Sequence, residues 1–96
     1  MFVTVSAYRA RTGEEDAIIA IYENWQLDQK LRARGYLSGE LLRNVEDPHQ
    51  FIVIMRFENQ ESAHALENDP EQDAWYQRVV SLTDNMPTLI EYTSEW

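Results

Sequence analysis

Seven residues, Phe51-Ile-Val-Ile-Met-Arg-Phe57, hold a single charge, and three in a row, Ile52, Val53 and Ile54, are β-branched. Pro48 and His49 precede this run and Glu58-Asn59-Gln60 follows it, so its length and flanks predict a strand. Side chains alternate along a strand. One face therefore takes Phe51, Val53, Met55 and Phe57, and the other takes Ile52, Ile54 and Arg56. Apolarity on both faces predicts cover on both.

The same alternation sets Phe2, Thr4, Ser6 and Tyr8 against Val3, Val5 and Ala7 and predicts a first strand from Phe2 to Ala10. Arg11-Thr12-Gly13 is a turn, and Glu14, Glu15 and Asp16 suit the positive end of a helix. That helix is expected to reach about Arg34, with Ile18, Ile21, Tyr22 and Trp25 on one face and Leu31 near its continuation. Lys30, Arg32 and Arg34 gather at its negative end, and Gly35 stops it. Tyr36–Val45 is a weaker strand interrupted by Ser38 and Gly39, where a glycine points to a bulge or a close approach. Glu46-Asp47-Pro48-His49 then makes a hairpin to the Phe51–Phe57 strand. Asn59 caps a short helix containing Ala63, His64, Ala65 and Leu66. Asp69-Pro70 breaks it and opens another to about Thr83, with Trp75, Tyr76, Val79 and Val80 inward. Pro87 introduces a last strand, Thr88–Glu95.

This order is βαββαβ, the ferredoxin-like α+β arrangement: one four-stranded antiparallel sheet with its helices on one face. Val3, Val5, Ile52 and Ile54 would lie on the bare face, and stacking two sheets in a two-fold homodimer would cover it.

Composition narrows the partners. The 96 residues are expected to form one domain, residues 1–96, burying about 60–65% of the unfolded surface. Seventeen acidic and eight basic side chains give a net charge of −9, which disfavours nucleic acid and anionic membranes. There is no cysteine, no basic leader and no long apolar run, so neither disulfides nor a membrane span is expected, and the cytoplasm is the default location. Glycine-rich phosphate loops and a nucleophile-elbow serine are absent. His49 and His64 lack His-x-x-x-His or Glu-x-x-His spacing, so no metal is expected.

On the face with Tyr8 stand two more hydroxyls, Thr4 and Ser6, where a dry core prefers aliphatic groups. Tyr22 and Trp25, Met55 and Phe57, and Trp75 and Tyr76 can meet them, forming an aromatic pocket for a flat, mostly apolar ligand. The plainer reading of Trp25 and Trp75 is core packing. For His49 it is a solvated turn, and for Arg56 an intersubunit salt bridge.

The first strand, the long helix ending at Gly35 and, above all, Phe51-Ile-Val-Ile-Met-Arg-Phe-Glu-Asn-Gln-Glu-Ser-Ala-His64 resemble the antibiotic biosynthesis monooxygenase family of dimeric α+β barrels over nearly the whole chain. The resemblance implies a homodimer with a pocket in each subunit, where a small phenolic, quinol or anthrone-like compound is oxidised by dioxygen without metal, flavin or other cofactor. A heme-degrading branch shares the fold and needs asparagine, tryptophan and histidine at positions occupied here by Tyr8, Phe57 and Tyr76 or its neighbour Trp75. Heme breakdown is therefore not expected. Oxygenation of a phenol needs a base, for which His64 is the candidate unless it is a surface residue. Tyr8 is expected to face the ligand. The alternative function is a non-catalytic dimer that binds an apolar small molecule.

Overall fold

The computed structural model describes residues 1–28 and 33–95. Alternating apolar positions form β1 (Phe2–Arg9), and the acidic turn after Gly13 opens α1 (Glu15–Asp28). β2 (Tyr36–Arg43) and β3 (Gln50–Phe57) make the expected hairpin. α2 (Gln60–Glu67), α3 (Pro70–Ser81) and β4 (Thr88–Thr93) complete the order. Lys30, Leu31 and Arg32, assigned above to the end of the first helix, lie outside the described residues.

Local signals account for the breaks. The Asn59 side chain accepts the Ser62 N–H at 2.8 Å, and Asp69 accepts the Glu71 N–H at 2.8 Å with Pro70 in the first turn of α3. Each bond satisfies a donor that a helix start leaves without a partner. Gly35 takes φ +79°, and its carbonyl accepts the Glu58 N–H at 2.8 Å, which ties the turn before β2 to the end of β3. The register shift between Tyr36 and Ser38 is the irregularity that Gly39 signalled. A Cβ on Gly39 would lie 2.3 Å from the Tyr36 hydroxyl. β2 and β4 each stop two residues earlier than the apolar pattern suggested.

The sheet order is β2-β3-β1-β4, with every pair antiparallel, as in the ferredoxin-like fold. The core lies on one face only. Phe2, Phe57, Trp25, Ala63, Leu66, Trp75 and Val79 form one buried cluster, and Tyr8, Ala10, Ile18, Phe51 and Val53 form another. The opposite face carries Leu42, Ile52, Ile90 and Tyr92, exposed by 42, 37, 51 and 50%. On that face Arg56 donates to Glu40 of the neighbouring strand at 2.8 Å. Register sets Glu40 opposite Ile54, two residues from Arg56 on the same face, which gives Arg56 a partner within its own chain.

Candidate functional site

Between the sheet and the helices lies a cavity of about 310 Å³, at the small end of the range of about 300–1,000 Å³ usual for ligand sites. Its floor is built by alternation. Thr4 and Ser6 of β1, Val53, Met55 and Phe57 of β3, and Leu89 of β4 all project to the helix side. Tyr22 of α1 and Trp75 and Tyr76 of α3 form aromatic walls, and Ala63 and Leu66 of α2 close one end. The polar lining beyond the floor comes from the α2–α3 junction: Glu67, Gln72 and Asp73. Glu67 and Asp73 are exposed, so the cavity opens toward them.

The walls are held from behind. Tyr22 stands edge-on to Trp75, with ring centroids 4.9 Å apart, and the Trp75 N–H donates to the Ile21 carbonyl at 3.4 Å. The Trp25 N–H donates to Gln72 Oε1 at 2.7 Å. That bond occupies the oxygen of Gln72 and leaves its NH2 as the end able to donate to a ligand. Burial pushes the Tyr22 hydroxyl well above the ordinary phenol range, so it is a hydrogen-bond donor at neutral pH. Burial, and then the Tyr22 phenol, raise Tyr8 in the same direction.

Seven of the ten side chains singled out above line this cavity: Thr4, Ser6, Tyr22, Met55, Phe57, Trp75 and Tyr76. Trp25 is 1% exposed and belongs to the core, touching the site only through Gln72. Tyr8, 3% exposed, is covered by Tyr22 and Phe51, whose rings stack on it at 6.3 and 5.9 Å. Its hydroxyl reaches neither the cavity nor a hydrogen-bond partner. The tyrosine expected in the cavity at Tyr8 is instead Tyr22, whose ring stacks on Tyr8 from α1 and itself lines the cavity.

His64 takes the surface position weighed above against a role as base. It lies edge-on to Phe2 at 6.1 Å, with Nε2 3.6 Å from Glu91 Oε1 and a side chain 44% exposed, outside the cavity lining. His64, Glu67 and Glu91 each bring one donor atom within 4.8 Å of the others, a grouping the spacing rules could not show because Glu91 comes from β4. All three are at least partly exposed, a surface contact between an imidazole and one carboxylate with a second carboxylate beside it. His49, in the turn before β3, is partly exposed, and its Nδ1 lies 2.5 Å from Glu15 Oε1. Glu67, Gln72 and Asp73 went unassigned in the sequence because polar residues around a helix break read as solvated surface. Among the described residues no helix is long and apolar enough to cross a membrane.

A four-stranded antiparallel sheet with its helices on one face, and a cavity between the two layers, is a ferredoxin-like α+β domain. Residues 1–78 match the family model of the antibiotic biosynthesis monooxygenases, and the chain belongs to that family. No curated protein matches it. Among solved structures it is similar to a candidate antibiotic biosynthesis monooxygenase from Nitrosomonas europaea, with 18% identity, full coverage of both chains and a TM-score of 0.84. It is similar also to SnoaB, a cofactor-independent oxygenase from Streptomyces nogalater, with 12% identity over 99% of this chain and 93% of that one, and a TM-score of 0.87. A further candidate monooxygenase, from Chloroflexus aurantiacus, shares 20% identity over 97% and 91% of the two chains, with a TM-score of 0.77. Identities this low establish a common fold.

Proposed function

We propose that the protein is a cofactor-independent oxygenase that oxidises a small phenolic, quinol or anthrone-like compound with dioxygen. The observation that carries this reading is the lining of the cavity, where two carboxylates at the mouth meet aromatic walls and a row of hydrogen-bond donors. Family membership and the fold shared with SnoaB support it.

In this reading Trp75, Tyr76 and Phe57 hold the flat ring system, and Glu67 or Asp73 takes the acidic proton of the substrate. The Gln72 NH2, the Tyr22 hydroxyl and the hydroxyls of Ser6 and Thr4 stabilise the anion that develops. The electron-rich anion passes one electron to dioxygen, and the substrate radical couples with superoxide to form a C–O bond. Loss of water from the resulting peroxide leaves a carbonyl. For an anthrone the balance is CH2 plus O2 giving C=O plus H2O, with the four electrons coming from the substrate. His64, weighed above as a base or a surface residue, lies outside the lining, and we propose the carboxylates for proton transfer in its place.

Oxygen uptake with a panel of anthrones and hydroquinones tests the proposal, and Glu67→Gln with Asp73→Asn should abolish it. Quenching of Trp75 fluorescence by the same compounds, with no oxygen uptake from any of them, would overturn it. That result would establish the second reading, a binding module. One observation favours that reading: both carboxylates are exposed, and no histidine lines the cavity among the described residues.

We also propose that the helix-free face is buried in a homodimer. Its exposed Leu42, Ile52, Ile90 and Tyr92 support this, flanked by Val3, Val5 and Ile54. Light scattering should give twice the 11.3 kDa chain mass, and Ile54→Asp should dissociate or precipitate the protein. A native monomer at micromolar concentration would refute the dimer.

A further inference from the structure

Away from the aromatic walls, three side chains with metal-binding chemistry meet at the end of α2. His64 and Glu67 stand three residues apart on that helix and so are neighbours on its surface. Glu91 comes from β4, where it pairs with Thr4 of the cavity floor and therefore projects to the helix side of the sheet. One ligating atom from each of the three lies within 4.8 Å of the other two.

Distance separates this grouping from an ordinary hydrogen-bonded pair. His64 Nε2 lies 3.6 Å from Glu91 Oε1, beyond the N–H···O range of about 2.7–3.2 Å. Two ligands bound to one zinc ion at about 2.0–2.1 Å in tetrahedral geometry stand about 3.4 Å apart. The imidazole is oriented from behind, its ring edge-on to the buried Phe2 with centroids 6.1 Å apart. Both carboxylates are exposed, so small rotations bring their oxygens to the same spacing.

Charge points the same way. Glu67 is the last residue of α2, where the helix dipole is itself negative, and Glu91 brings a second carboxylate to that end. Among the described residues no lysine or arginine pairs with either of them. One imidazole nitrogen with two carboxylate oxygens suits zinc and its divalent transition-metal neighbours, whereas magnesium and calcium favour sets made of oxygen alone. Three protein ligands leave a fourth position for water.

We propose that His64, Glu67 and Glu91 form a zinc-class divalent cation site that ties α2 to β4 beside the cavity mouth. The site does not depend on the oxygenase reading, because it is measured with the metal alone. Calorimetric titration of the native protein with zinc chloride should give one ion per chain, bound about tenfold or more tighter than magnesium. His64→Ala, Glu67→Gln and Glu91→Gln should each weaken zinc by about tenfold or more, since even the outer-shell partners of a metal are worth about 10–100-fold. All three side chains are at least partly exposed, and circular dichroism checks that each variant is folded. His49, whose Nδ1 meets Glu15, is the control: His49→Ala should keep zinc affinity within about twofold. Zinc should also raise the melting temperature of the native protein and not that of Glu91→Gln, because a cation bridging two elements binds only the folded chain. Absence of saturable zinc binding overturns the site, and so does zinc binding that any one of the three variants keeps in full. Equal loss in His49→Ala overturns it too, and equal affinity for magnesium overturns the transition-metal assignment.

Discussion

Replacing Tyr8 with phenylalanine should stabilise this protein. The Tyr8 side chain is buried between the rings of Tyr22 and Phe51, and its hydroxyl, though near enough to that of Tyr22 to feel it, meets no partner in hydrogen-bond geometry. A buried polar group left without a partner costs about 1–3 kcal/mol, whereas the ring keeps all its packing when one oxygen is removed. Allowing for the small void left behind, a gain of about 1 kcal/mol is expected, which for a chain of this length raises the melting temperature by about 4–8 °C. Affinity for cavity ligands should change by less than about twofold, since Tyr8 lies outside the lining. Thermal unfolding followed by circular dichroism, with a parallel fluorescence titration, measures both. A fall in melting temperature would refute the reasoning, because it would mean that the Tyr8 and Tyr22 hydroxyls are bonded to each other. A large loss of affinity with unchanged stability would instead return Tyr8 to the site.

The other expectations follow from burial, charge and backbone geometry. Burial raises the pKa of both Tyr8 and Tyr22, so stability should be full below about pH 10 and fall above it as the unfolded chain releases its phenolic protons first. The slope should approach about 1.4 kcal/mol per pH unit for each tyrosine, read from urea midpoints between about pH 9 and 11.5, and Tyr8→Phe should remove one tyrosine's share. Gly35→Ala should cost at least about 2 kcal/mol, because φ is +79° and the new Cβ would lie 2.6 Å from Ser62 Cβ. A urea midpoint within about 0.5 kcal/mol of native would show that this turn can shift. Trp25→Phe should lower stability by about 2 kcal/mol and weaken ligand binding as well, since Gln72 loses the donor that orients it. Unaltered affinity would mean that Gln72 does not contact the ligand.

How far the fold could be read from the chain depended on whether each signal was local. The two-sided apolarity of Phe51–Phe57, the Asn59 cap and the Asp69-Pro70 break are written in neighbouring residues, and each reappears in the structure at its place. The site was read less well, for geometric reasons. Tyr22 and Trp25 are three residues apart on one helix face, and Ser6 and Tyr8 two apart on one strand face. Periodicity treats the members of each pair alike. Which of them meets a cavity and which is sealed is decided by where α1 crosses the sheet, information that no spacing contains. The Arg56–Glu40 pair and the neighbourhood of Glu91 and His64 depend in the same way on register and on β4.

Because side chains alternate along each strand, β1 and β3 each carry two interleaved messages. Thr4, Ser6, Val53, Met55 and Phe57 form the cavity floor, while Val3, Val5, Ile52 and Ile54 between them form the bare face. Single substitutions can therefore reshape the cavity floor without touching the outer surface, and the reverse. A one-residue insertion or deletion has no such freedom, since it would exchange the two sets and turn hydroxyls outward and aliphatic groups inward. Descendants of this chain can diversify their chemistry by point changes in these two strands, whereas changes of length are confined to the turns and helix junctions, where Glu67, Gln72 and Asp73 already stand at the mouth of the cavity.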